Sequence, residues 1–167
     1  MGDDARAFER VLAEFAPAIR RLAGSYEPDS SRRDDLAQEI SIALWRALPG
    51  FRGDSSMRTF VFRIAHNRAL THIWRRGRVR TTEVTEASAV SDPAHSPHAR
   101  LEHDERRQRL HAAIQSLPLV HRQVLVLALE DLSHAEIASV LGIRENAAAV
   151  RLTRARQALR ATLGVAR

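Results

Sequence analysis

Apolar residues recur at intervals of three and four along most of this chain, and this spacing lines up side chains on one face of an α-helix. Segments of alternating β-branched residues, which mark strands, are scarce, and aromatic residues make up only 5% of the sequence. The spacing therefore predicts an all-α protein in which each helix buries one stripe against its neighbours.

Three helices are predicted before residue 81. Gly24 and Pro28 end the first, the second starts at Ser31 in a weak capping box with Asp34, and Ser55 or Ser56 caps the third. The buried stripe of the first helix is predicted to be Phe8, Val11, Leu12, Phe15, Ile19 and Leu22. The buried stripe of the second is predicted to be Leu36, Ile40, Ala43, Leu44 and Ala47.

The third helix has two candidate stripes at helical spacing. The predicted core stripe consists of Phe60, Ile64, Asn67, Thr71 and Trp74. The second stripe is basic and consists of Arg68, His72 and Arg75. A packing face and a cationic face are therefore expected on one helix.

Segment 51–80 contains this helix and is strongly basic, with eight arginines, one acid and a net charge of +7, against +6 for all 167 residues. Four of the chain's eight large aromatic residues lie among those arginines. Guanidinium groups bind phosphates bidentately and aromatic faces stack on unpaired bases, so the mixture is typical of a surface that holds separating nucleic-acid strands. The alternative is an amphipathic helix whose rings are core and whose arginines are a solvated rim.

Charge divides the rest of the chain into blocks, with net charges of −2 for 1–50, −5 for 81–105 and +6 for 106–167. Stretch 81–105 has two prolines, many small polar residues and no apolar period, so it is predicted to be a flexible acidic linker. It would join two small helical domains at 1–80 and 106–167. His95, His98 and His103 lack companion ligands at firm spacing, so neither a metal nor another cofactor is expected.

Four further helices are predicted in the last block. Their boundaries are marked by Pro118, by Ser133 and Glu136 as a capping box, by Gly142 after the third and by Asn146 as the cap of the last. The core stripe of the last helix is predicted to be Ala148, Leu152, Ala155 and Leu159. Its exposed stripe is predicted to be Ala147, Arg151, Arg154 and Ala158.

The last two helices have the pattern of a helix-turn-helix, because a short helix, a glycine turn and a helix with arginines on its open face follow each other. Such a second helix can enter the major groove of DNA. An ordinary helical hairpin in a bundle is the alternative interpretation.

Several classes of protein are disfavoured by composition. The chain has no cysteine, so a disulfide framework and a cysteine-based zinc site are excluded. No apolar run approaches the roughly 20 residues that span a bilayer, and the acidic N-terminus lacks a signal-peptide core, so a cytoplasmic protein without membrane insertion is expected. The sequence pI of 11.3 favours a polyanionic partner.

Three motifs together resemble the extracytoplasmic-function (ECF) type of bacterial RNA polymerase sigma factor, which retains sigma regions 2 and 4. Residues 35–45, DLAQEISIALW, resemble the region 2 helix that docks on the clamp helices of the polymerase β′ subunit. Residues 51–70 resemble the promoter-melting and −10 recognition segment, and residues 132–159 resemble the helix-turn-helix that reads the −35 element. The resemblance covers nearly all of the chain except the linker.

The resemblance implies roles for individual residues. Those implied to bind core polymerase are Asp35, Gln38, Glu39 and Trp45. Those implied to bind and open the −10 region are Phe51, Arg52, Asn67, Arg68, His72, Trp74, Arg75 and Arg76. Those implied to bind the −35 element are Arg144, Asn146, Ala147, Arg151, Arg154 and Arg156. The alternative for Asp35 and Glu39 is that they only stabilise the helix dipole and keep the surface soluble. The alternative for Asn67 is a buried cap or a helix–helix hydrogen bond.

The function implied by the resemblance is that of a dissociable, non-enzymatic initiation factor. It would bind core polymerase through the β′ clamp helices and the β flap, recognise and open promoter DNA, and be controlled by an anti-sigma factor. One rival is a stand-alone helix-turn-helix regulator that binds duplex DNA without polymerase. A second is a histidine-dependent nuclease using the linker histidines, which lacks nearby paired carboxylates or a metal-ligand frame.

Overall fold

The computed structural model describes the backbone of residues 2–80 and 99–164 and the side chains of residues 5–77 and 105–164. Regular structure in these ranges is helical, which confirms the all-α prediction. The helices are α1 (Gly2–Tyr26), α2 (Ser30–Ala47), α3 (Met57–Arg80), α4 (Ala99–Ser116), α5 (Leu119–Leu129), α6 (His134–Leu141) and α7 (Glu145–Thr162). A short 3-10 turn, Leu48–Gly50, follows α2. Across the described ranges, no helix combines the length and apolarity needed to cross a membrane.

Helices α1, α2 and α3 form the N-terminal unit. The predicted stripe of α1 is buried from Phe15 to Leu22 and half-buried before Phe15, and the predicted stripe of α2 is buried from Leu36 to Leu44. Helix α1 ends at Tyr26, between Gly24 and Pro28. One predicted boundary is wrong. The N-cap of α2 is Asp29 instead of Ser31, because the Asp29 carboxylate accepts a hydrogen bond from the Arg32 backbone N–H at 2.9 Å.

The predicted core face of α3 is also wrong. Asn67 and Trp74 are exposed, while Phe60 and Ile64 are half-buried. The buried side chains of α3 are Thr59, Val61, Phe62, Ala65, His66 and Ala69. The two alanines have small side chains, which allow the helix backbones to approach closely on this face.

Helices α4 to α7 form the C-terminal unit. The predicted capping box and the predicted glycine at the end of α6 are both present. Ser133 and Glu136 make the predicted capping box: the Ser133 hydroxyl accepts from the Glu136 backbone N–H at 3.2 Å, and the Glu136 carboxylate accepts from the Ser133 backbone N–H at 2.9 Å. These hydrogen bonds lower the pKa of Glu136. Gly142 ends α6 with φ of 65°, a left-handed conformation that favours glycine. The N-cap of α7 is Arg144, so the predicted cap at Asn146 is wrong by two residues.

The two units are packed against each other, and their buried side chains form one continuous apolar cluster. In this interface the Gln115 side-chain amide donates to the Gly24 carbonyl oxygen at 2.8 Å. Most of the predicted linker, residues 81–98, lies outside the described residues. Helix α4 begins at Ala99 and so includes the last residues of the predicted linker.

His66 is a buried titratable group of the N-terminal unit, with 3% of its surface exposed. Its Nδ1 atom lies 3.3 Å from the Tyr26 hydroxyl oxygen, and burial lowers its pKa from 6.5 to about 4. Because the folded state disfavours the charged imidazole, the associated stability is present above pH 6.5 and is lost as the pH falls through about 4.

We expect the free energy of unfolding to fall by about 3 kcal/mol from this group alone between pH 7 and pH 4. Urea denaturation at several pH values measures it, and the His66→Gln variant should show a shallower pH dependence. His134→Gln is the matched control, because His134 is exposed. Parallel pH profiles for wild type and His66→Gln would contradict the prediction.

Candidate nucleic-acid interface

The helix-turn-helix is formed by α6, the turn at Gly142 and α7. Ala148, Leu152 and Ala155 hold the inner face of α7 in the core, which turns the opposite face outward. The six residues predicted to bind the −35 element lie on α7 or at its N-cap. Four of these side chains are exposed, namely Arg144, Asn146, Arg154 and Arg156. Two are half-buried, namely Ala147 and Arg151.

The loop before α3 folds back onto that helix. The rings of Phe51 and Phe60 are 4.8 Å apart between centroids, while Arg52 is exposed in the same loop. Gly53 has φ of 80°, so this turn requires a residue that tolerates the left-handed region. The structure thus places an aromatic pair next to an exposed arginine at the start of the most basic helix.

The exposed side of α3 carries a second group of predicted DNA-binding residues. Trp74 is 62% exposed, which is unusual for a side chain of this size. Asn67 and Arg75 are exposed and Arg68 is half-buried. Because Asn67 faces solvent, the alternative role as a buried cap or helix–helix contact is not supported.

Two predicted DNA-binding residues of α3, His72 and Arg76, face inward onto Glu27. The Glu27 side chain is completely buried, and its carboxylate oxygens lie 2.8 Å from His72 Nε2 and 2.8 Å from Arg76 Nη1. The backbone N–H of Asp29 donates to the same carboxylate at 3.0 Å. These contacts fasten the α1–α2 connection to α3, and DNA binding by His72 and Arg76 remains a prediction.

Helix α2 presents a mixed face of acidic, amide and apolar side chains. Asp35, Gln38 and Trp45 are exposed and Glu39 is half-buried, so the predicted polymerase-binding residues lie on the outer side of the helix. The Trp45 ring packs edge-to-face on Phe8, with centroids 5.0 Å apart.

Sequence reasoning missed three side chains that belong to these surfaces. Ile42 is 45% exposed on α2, three residues from Trp45, and its position off the buried stripe was the available signal. Arg58 and Arg63 on α3 contact the C-terminal unit while remaining exposed and half-buried, respectively: Arg58 donates to the Glu130 carbonyl oxygen and Arg63 to the Ser139 hydroxyl. Nothing local in the sequence indicates these partners.

This geometry defines a class of protein: a helical DNA-binding factor with a helix-turn-helix, a second cationic surface bearing exposed aromatic residues, and a separate amphipathic face. Comparison with known families agrees. The sigma-70 region 2 model matches residues 11–79, and the sigma-70 region 4 model matches residues 107–159. The chain belongs to the sigma-70 family of RNA polymerase sigma factors, in its ECF type. It is a transcription initiation factor and not an enzyme.

Characterised relatives are similar over nearly the whole chain. The chain is 33% identical over 165 residues to the RNA polymerase sigma-H factor of Pseudomonas aeruginosa, covering 93% of this chain and 86% of that protein. It is 30% identical to the ECF RNA polymerase sigma-E factor of Escherichia coli strain K12, with the same coverage.

Two solved structures share the fold. CnrH, solved in complex with the cytosolic domain of CnrY, is 28% identical with a TM-score of 0.72, over 99% of this chain and 93% of that chain. The sigma factor RpoE of Bartonella quintana, solved with the anti-sigma factor NepR, is 24% identical with a TM-score of 0.79, over 97% of this chain and 99% of that chain. The similarity therefore extends across both units.

Proposed function

We propose that this sigma factor works through three separate surfaces, on α2, on α3 with the loop before it, and on α7. The observation that carries the proposal is the coexistence of the exposed Trp45 and Ile42 face with two arginine-rich surfaces in one chain. A regulator that binds DNA alone has no need of the apolar face, whereas a polymerase subunit needs it to dock.

The α2 surface is proposed to bind the clamp helices of the polymerase β′ subunit. Trp45 and Ile42 are both nearly half exposed and supply apolar anchors near the C-terminal end of α2. Asp35, Gln38 and Glu39 lie N-terminal to these anchors on the same helix and supply hydrogen-bond acceptors and negative charge. Protein interfaces commonly combine apolar anchors with neighbouring polar residues in this way.

The α3 surface is proposed to hold the opened −10 region. Extracting a base from the stack costs a few kcal/mol, which stacking and hydrogen bonds must offset. Trp74 offers an exposed ring for stacking, Asn67 offers an amide for a base edge, and Arg68 and Arg75 offer cations for the backbone. Residues 51–57, with the Phe51–Phe60 pair, are proposed to form the adjoining pocket.

The C-terminal unit is proposed to bind the −35 element through α7 and the polymerase β flap through another face. Residues 1–80, 81–105 and 106–167 would then be the region 2 domain, the linker and the region 4 domain. An anti-sigma factor is the proposed regulator, because the RpoE neighbour was solved with one. These partners place the proposed site of action in the cytoplasm.

Reconstitution with core RNA polymerase tests the proposal. Run-off transcription on genomic fragments should yield defined transcripts only when both core polymerase and this protein are present. Footprinting the same promoters with the isolated protein should give little protection, because recognition requires the assembled holoenzyme. Tight, specific protection by the isolated protein without any transcription would favour the stand-alone regulator.

A further inference from the structure

The face of α7 that points away from the core is centred on Val150 and Thr153, which the sequence analysis did not assign to DNA. Three of the four residues of the exposed stripe predicted for this helix are half-buried, and only Arg154 is exposed. The exposed residues that follow one another at helical spacing are instead Asn146, Val150, Thr153 and Gln157. We call these four residues the outer face of α7.

Val150 stands near the middle of the outer face. It is two residues from each of the buried Ala148 and Leu152, and because successive residues of an α-helix turn by about 100°, its side chain projects away from both. Its surface is 43% exposed. Valine offers neither a charge nor a hydrogen bond, so anything that it contributes to DNA binding must be an apolar contact.

Thr153 adds a second apolar group to the outer face. It is exposed, and its hydroxyl donates to the Ala149 carbonyl oxygen, one turn earlier, at 3.1 Å. Because this proton is used inside the helix, Thr153 cannot donate to a base without breaking that hydrogen bond. Its γ-methyl group remains available for apolar contact.

Thymine is the base whose major-groove edge matches such a face. Its C5 methyl group is the apolar feature of that edge, and small apolar groups such as alanine and the threonine methyl contact it. Exposed cations lie on either side of Val150 along the chain, at Arg144, Arg154 and Arg156, as expected for a surface that enters the groove of a polyanion. The outer face therefore combines apolar groups for the base edges with charges for the phosphates.

We propose that Val150 and the methyl group of Thr153 read thymine methyl groups in the −35 element, and that both are specificity-determining residues. The inference rests on the proposed function, because it requires that α7 enters the major groove at that element. It goes further by assigning base identity, since the base pairs that face the middle of α7 would be A·T pairs. Contacts to phosphates position the helix but carry no sequence information, so the discrimination at these base pairs falls to the apolar groups.

Replacement of thymine by deoxyuridine tests this proposal, because deoxyuridine lacks only the C5 methyl group and keeps the same base pairing. The DNA is a promoter identified by run-off transcription, with one thymine of the −35 element replaced at a time, and the measured quantity is the affinity of the holoenzyme. At one or more positions the replacement should weaken binding by about 3- to 5-fold, as expected for loss of one buried methyl group.

The same measurement with Val150→Ala shows whether the methyl group is read by this side chain. The variant should bind unmodified DNA more weakly, and the effect of deoxyuridine at the position facing residue 150 should shrink to less than about 1.5-fold. Val150→Ile keeps a branched apolar side chain and should retain the sensitivity to deoxyuridine. Circular dichroism should show undiminished helix in both variants.

Two variants of Thr153 separate its methyl group from its hydroxyl. Thr153→Val keeps the methyl branch and should retain the preference for thymine over deoxyuridine, whereas Thr153→Ser keeps the hydroxyl and should lose that preference at the position facing residue 153. Arg154→Ala is the matched control on the neighbouring part of the helix. It should weaken binding to both DNAs by the same factor, because its contact does not involve the methyl group.

The proposal is overturned if the −35 elements of the identified promoters contain no A·T pair, or if no deoxyuridine replacement weakens binding. It is also overturned if Val150→Ala and Thr153→Ser both leave the effect of deoxyuridine unchanged. In each of these cases transcription itself would still support the proposed function. Failure to transcribe with core polymerase would instead reject the proposed function, and the inference with it.

Discussion

Replacing both Arg151 and Arg154 with alanine is expected to reduce promoter-specific transcription by about 100-fold. An arginine that binds DNA in this way contributes about 1–3 kcal/mol, and each 1.4 kcal/mol is a tenfold change in affinity. Both side chains lie on the outer half of α7, while Leu152 between them is buried and keeps the helix in place. The reduction should therefore come from DNA binding and not from the fold.

The expected signature is specific to the −35 step. Affinity for core polymerase, measured without DNA, should be unchanged, because core binding is proposed to use α2 and a face of the C-terminal unit other than α7. Removing an arginine that neutralises a phosphate should also make promoter binding less sensitive to salt. The slope of log affinity against log salt should become shallower by about 1 for each such arginine.

Arg160→Ala is the matched control for this prediction, since Arg160 is an exposed arginine in the last turn of the same helix. It should retain nearly all promoter activity. If Arg160→Ala and the double variant were equally impaired, general positive charge would explain the effect. If core binding fell together with transcription, the assignment of α7 to DNA would be wrong.

The helix-turn-helix could be predicted from sequence because its signals are local. The Ser133–Glu136 capping box spans three residues, and Gly142 satisfies a conformational requirement at a single position. The capping box and the glycine turn each depend on residues within about one helical turn, and both are present in the structure. The predicted cap at Asn146 is wrong by only two residues, because a polar side chain near a helix start is not unique to the N-cap.

The packing face of α3 could not be predicted in the same way. Periodicity reveals stripes, but α3 has apolar residues on more than one face, and the stripe with the larger rings is the more obvious candidate for the core. The structure buries Ala65 and Ala69 and leaves Trp74 outside. Which stripe of α3 is buried depends on how closely α1 and α2 approach this helix. That distance is set by the tertiary packing of the three helices and not by the local sequence.

Long-range ionic contacts were equally inaccessible to sequence reasoning. Arg21 pairs with Glu130 at a separation of 109 residues, and Glu27 pairs with Arg76 at a separation of 49. Charge counts assign Arg76 to a basic surface, but its hydrogen bonds go to a buried carboxylate. Composition therefore predicts that a segment is cationic without indicating which cations face solvent.

The other large effect is expected at Glu27, whose replacement by alanine should lower the free energy of unfolding by about 3 kcal/mol at pH 7. Removing one partner of a buried ionic cluster leaves the others uncompensated, which typically costs about 3–5 kcal/mol. We expect the lower end of this energy range because Arg76, which is 30% exposed, can recover part of its hydration. His72 is 16% exposed and can recover less. The Asp29 N–H would also be left without its acceptor.

Urea denaturation followed by circular dichroism measures this destabilisation, and two variants calibrate it. Glu14→Ala removes an exposed glutamate from α1 and should change stability by less than about 0.5 kcal/mol. Glu27→Gln keeps a hydrogen-bond acceptor without the charge and should fall between wild type and Glu27→Ala. If Glu27→Ala were as stable as wild type, His72 and Arg76 would not be committed to Glu27 in solution. Both would then be free for DNA, as the resemblance to the −10 recognition segment implies.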